Sequence, residues 1–275
     1  TEPFFDANAI QLKELALLDV VPLQRSLPQV GTTRISGTQS GPKLLKASRH
    51  VRNHVQALLS DNEREEIVIA GIERFFGRSW RKGKVKLRSV PLEYREYLSS
   101  GAGNEFALIH HLISQGRVRG EPKTVLRGAV LGVQYLNHLA TSHRYRDANI
   151  VASALLQIVD RDQHPAEWSS LAAIFGQCLR MGGKSEEALK YLREALHAGS
   201  STDTDKASIW LDIALAEKTQ GNTEAAAAAA SEVLNLTKPH SPLHLHALAV
   251  RAELTLSGPD KVKELSSIEQ RAKNA

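Results

Sequence analysis

Small residues recur at fixed intervals in the C-terminal half of this chain, and they constrain its fold more than any other feature. In the stretch AEWSSLAAIFGQCLRMGGKSEEALKYLREALHA (residues 166–198), Gly176 interrupts an apolar helical pattern. A missing side chain there lets a second helix approach closely. Gly183 follows at a turn, and Ala188, Leu192 and Ala195 then form one stripe at spacings of four and three, the period of one helix face. The pattern returns with Trp210, Ile213 and Ala214 before Gly221, and Ala226, Ala230 and Val233 after it. From Gly183 to Gly221 is 38 residues, and Gly258 follows after another 37. Upstream, Tyr135, Leu136 and Leu139 lead to His143 at the turn, then Ala148, Ala152 and Leu155, with 40 residues from Ala148 to Ala188. Such periods mark stacked helical pairs that cannot bury their faces alone.

On Gly176, Gly183, Ala188, Leu192 and Ala195, and on Trp210, Ala214, Gly221, Ala226 and Val233, the sequence resembles the tetratricopeptide repeat (TPR) family. Its unit is shorter, about 34 residues; longer connections such as residues 199–205 account for the excess. The copy around Ala148 lacks a turn glycine, and the copy around Gly258 has Lys263 where the small residue belongs. That last unit reads as a degenerate cap with a polar outer face. The resemblance covers residues 124–275 and implies an all-α solenoid of helical hairpins.

The N-terminal part reads differently. Residues 6–19 have an amphipathic helical pattern, residues 20–28 are interrupted by prolines, and Thr32–Ser36 alternates as a short strand does. Leu44–Leu59 again follows a helical period. Ser60-Asp-Asn-Glu63 carries a capping signal for a helix running to about Phe76. This order resembles the end of a winged-helix domain, a small α/β unit. With the repeats behind it, the arrangement is similar to the signal-transduction ATPases with numerous domains (STAND ATPases), in which a winged helix precedes a repeat sensor. GNEFALIHHLISQG then looks like the first sensor helix. The expected organisation is a winged-helix-like unit over 1–76, a basic linker over 77–103, and a TPR-like domain over 104–275.

Composition narrows the function. Apolar residues make up 42% and charged residues 24% of the chain, which reads as a soluble globular protein. No apolar run reaches the ~20 residues of a membrane span, and the first ten residues do not read as a secretory signal. Cys178 is the single cysteine, so neither an internal disulfide nor a cysteine zinc site is available. A cytoplasmic protein is expected. The first residue is Thr1 and Met181 is the only methionine, which suggests a segment of a longer protein.

Chemistry-bearing clusters are few. Residues 74–92 hold seven basic and no acidic residues. Arg78, Trp80, Arg81, Lys82, Lys84 and Lys86 are the candidate nucleic-acid contacts, cations for phosphates and an indole to stack a base. Gly182-Gly-Lys-Ser185 superficially suggests a phosphate loop, but Cys178 occupies the position of its first glycine and the segment is a repeat turn. His50 and His54 stand four apart with no carboxylate between them, and flanking arginines disfavour a cation. His110 and His111 point to different helix sides, and His240, His244 and His246 lack a fourth ligand. No metal, cofactor or catalytic constellation is expected, and the chain is not expected to be an enzyme.

In TPR proteins the first helices of the hairpins line a groove that takes a peptide or partner helix. The resemblance therefore implies a protein or peptide ligand there. Helical projection puts Asn137, Gln177, Arg180 and Lys218 on that side, with Arg180 and Lys218 placed to clamp a carboxylate or an acidic partner. The concrete expectation is a sensor whose partner acts on an upstream ATPase domain of the same parent chain; the alternative is nucleic-acid binding through residues 74–92.

Overall fold

The structure, a computed structural model, describes residues 18–22, 43–47, 58, 60–82, 85, 104–199 and 202–273. Its contacts separate two units, Thr1–Ala70 and Gly71–Ala275.

In the first unit, β1 (Leu18–Pro22) and β2 (Lys43–Ala47) pair antiparallel, from Leu18 opposite Ala47 to Pro22 opposite Lys43. This corrects two expectations. Residues 18–19 end no helix, and residues 44–47 begin none. Short apolar runs such as LDVV and KLLKA fit helix and strand equally by period, and pairing with a distant partner decides between them. The strand expected at Thr32–Ser36 lies outside the described residues, as do His50 and His54.

Helix α1 (Asp61–Phe76) spans the division between the units. It starts as the capping signal requires. Glu63 accepts hydrogen bonds from the Ser60 amide (2.8 Å) and hydroxyl (2.6 Å), and these hold its carboxyl below the usual range.

The second unit is a stack of helical hairpins. Its helices are α2 (Asn104–Val118), α3 (Pro122–Thr141), α4 (Tyr145–Ile158), α5 (Pro165–Met181), α6 (Ser185–Ala198), α7 (Asp203–Thr219), α8 (Thr223–Leu236), α9 (Pro242–Thr255) and α10 (Gly258–Lys273). Each first helix (α3, α5, α7, α9) packs on its hairpin partner, on the second helix of the preceding pair, and on its neighbouring first helices. The result is two layers, with first helices in one and second helices, together with α2, in the other.

The hairpins close as the small residues dictate. Leu136, Leu139, Ala148 and Leu155 are fully buried in α3/α4, Ala188, Leu192 and Ala195 in α5/α6, and Ala214, Ala226, Ala230 and Val233 in α7/α8. A β-carbon at Gly176 would sit 2.6 Å from Leu192 Cγ and 3.2 Å from the Ala188 carbonyl oxygen. The Ser169 hydroxyl donates to the Ala195 carbonyl across the same seam at 2.7 Å, and both groups are buried.

One turn geometry serves these three joints. Arg144, Lys184 and Asn222 donate backbone N–H groups to Leu139, Leu179 and Glu217, each five residues back. The residue before each donor has a positive φ: His143 at 58°, Gly183 at 80°, Gly221 at 82°. This is a left-handed helix end that satisfies otherwise orphaned carbonyls. His143 does a glycine's work here, with Nδ1 hydrogen-bonded to the Tyr145 hydroxyl at 2.8 Å. The segment 182–185 is this turn in the α5/α6 hairpin. The α2–α3 turn repeats it at Gly120 (φ 66°), with Glu121 donating to Gly116.

At the far end, α10 buries Ile268 against Leu245 and Ala252 and leaves Val262 exposed. At the near end, Phe76 meets Tyr135 edge-on, ring centroids 6.2 Å apart. Among the described residues, no helix is long and apolar enough to cross a membrane.

Candidate interaction surface

The first-helix layer turns one side toward the second helices and the other outward. On α3, Gly128 and Gly132 mark the inward side, because a β-carbon there would meet Ile113 and Leu155 within 3 Å. On α5 the mark is Gly176. The outward stripe runs along the more open face of each helix. It begins at Leu126 on α3, Ala166 on α5 and Thr204 on α7, and continues four, seven, eleven and fifteen residues further on, the spacing of one helix face. These positions carry no charged side chain, and the same faces extend to Lys123 on α3, Arg180 on α5 and Lys218 on α7. All but Leu211 are partly or fully open to solvent, among them Met181 at 48% exposure. The stripe is a mixed surface, with Ser, Thr, Asn or Gln at seven of its fifteen positions.

Asn137 and Gln177 lie on the stripe, Asn137 exposed and Gln177 half-buried. Arg180 and Lys218 lie at its edge, each three residues before a turn glycine, and both are engaged within the stack. Arg180 on α5 donates from Nη2 (2.7 Å) and Nε (3.0 Å) to Asp212 Oδ1 on α7. Lys218 on α7 donates to Glu253 on α9. Asp212 is buried, and burial raises its pKa while Arg180 pulls it down. Also on α7, Glu217 is buried and accepts from Arg193 of α6 at 2.5 Å and Asn222 at 2.7 Å. The sequence gives no sign of Asp212 or Glu253 as partners, because each lies more than thirty residues from the cation it holds. The stripe could have been found by laying the three helices side by side from their turns.

At the basic segment, Arg78, Arg81 and Lys82 are exposed. Trp80 is only 6% exposed, its indole N–H is buried without a partner, and the Arg81 guanidinium lies 5.5 Å from its ring centroid. That ring is therefore core, and does not present a face to a base. Lys84 and Lys86 lie outside the described residues. His110 is exposed and His111 half-buried, with the His111 pKa lowered by burial and by Arg119. His244 shares a hydrogen bond with Thr237 Oγ1 at 3.2 Å. No group of three or more metal-ligating side chains occurs among the described residues.

No family model matches the sequence, and no curated protein matches it. Among solved structures, the chain is similar to MamA 41-end from Desulfovibrio magneticus RS-1, at 16% identity over 63% of this chain and 98% of that one, with a TM-score of 0.41. It is likewise similar to a MamA RS-1 ArsTM double mutant, at 14% identity over 63% and 98%, with a TM-score of 0.42.

Proposed function

We propose that this chain is a protein-interaction module that binds a polypeptide on the outward stripe of its first helices. The observation that carries the reading is the low charge of the open faces of α3, α5 and α7, where Arg180 and Lys218 are already paired within the stack. The centres of protein interfaces are depleted of charged residues and enriched in methionine, and ordinary solvated faces are not. The packing supports the same reading, since a stack held by small residues in two layers devotes its chemistry to presenting a surface. A photo-crosslinking residue at Met181, or at the exposed Glu232 on α8, tests it in extract from the source cell. Crosslinks to a discrete polypeptide from position 181 and none from 232 are expected. Equal labelling from both positions refutes it.

In its finer form, the module is the sensor of a longer STAND-type ATPase, with the N-terminal unit as the winged-helix element that relays occupancy to an ATPase domain. The order of the elements in the sequence supports this. Partner-dependent ATP hydrolysis by the full-length parent chain tests it. Nucleic-acid binding is the second reading, supported by exposed Arg78, Arg81 and Lys82. Salt-dependent RNA or DNA binding that is lost in Arg81→Glu/Lys82→Glu would establish it.

A further inference from the structure

We draw no further inference here: the strongest candidate, the apolar cleft between the start of α9 and the end of α10 that Pro242, Leu245, Ala249, Ile268 and Ala272 line, carries nothing because nothing in the structure shows what covers it.

Discussion

Replacing Gly176 with alanine separates a packing requirement from a helix preference. In an exposed helix interior this exchange gains about 1 kcal/mol, because alanine forfeits less backbone entropy. Here the new β-carbon would lie 2.6 Å from Leu192 Cγ and 2.8 Å from Cδ2, whereas carbons in contact prefer about 3.5–4.0 Å. Leu192 is fully buried and cannot swing aside, and the Ala188 carbonyl closes the other side at 3.2 Å. The hairpin must open by roughly an ångström, a form of overpacking that costs about 1–3 kcal/mol. The net expectation is a loss of up to about 2 kcal/mol, the clash exceeding the propensity gain. Gly71→Ala is the internal comparison. Its β-carbon would meet only the terminal methyls of half-buried Leu108, at 3.1 and 3.3 Å, and these can rotate, so a gain of up to about 1 kcal/mol is expected. Urea titration followed by circular dichroism reads both as midpoint shifts of opposite sign. Leu192→Ala completes a cycle: alone it costs about 2–5 kcal/mol, and with Gly176→Ala it costs less, because the new methyl occupies part of the vacated space. Gly176→Ala as stable as Gly71→Ala, with no coupling to Leu192, would refute the close-approach reasoning.

Three further outcomes follow from the same structure. At His143 the left-handed backbone costs any residue with a β-carbon, so His143→Gly should be about 1 kcal/mol more stable than His143→Ala in thermal melts; equal stability would contradict the turn assignment. Arg180→Met should cost about 3–5 kcal/mol at neutral pH by leaving Asp212 unpaired, and Arg180→Met/Asp212→Leu should recover much of it. Burial already raises the Asp212 pKa above 3.8, and loss of Arg180 raises it further. The folded variant then binds the Asp212 proton more tightly than the unfolded chain does. Its deficit should therefore shrink as pH falls from neutral toward the ordinary carboxylate range, and a deficit that grows on acidification would refute the pairing. Burial pushes the Cys178 thiol up to about 12, with Asp212 adding to the effect. The folded protein should therefore resist a disulfide reagent at pH 8 until urea unfolds it; prompt native labelling would place Cys178 elsewhere.

What the sequence disclosed was the part of the fold written in single residues. Gly176, Ala188 and Leu192 announce a close seam because only small residues permit one, and the structure buries them accordingly. Ser60 and Glu63 announce a helix start because both halves of the cap lie within one turn. Features that depend on a partner elsewhere were hidden. His143 lacks the glycine that would mark its turn, and it holds the left-handed conformation with a hydrogen bond to Tyr145. The strand at Lys43–Ala47 exists through Leu18–Pro22. Trp80, among arginines and lysines, has the composition of a stacking platform, yet burial determines its role.

The edge of the stripe shows why charge is a weak guide to binding in stacked repeats. Arg180 and Lys218 occupy the same place, three residues before their turns, and each reaches an acid on the following first helix, 32 and 35 residues on. From one helix at a time, both project outward and resemble ligand-binding cations. Only with the next repeat in place do they become joints that fix one first helix against another. The stripe runs across the same helices, so its continuity depends on those joints. Reversing Arg180 and Lys218 together would disturb the stack and the surface at once, and a loss of binding in that variant would not distinguish contact from collapse. Met181 is exposed and lies on the stripe with no part in a joint, so a substitution there can change recognition while the architecture stays intact.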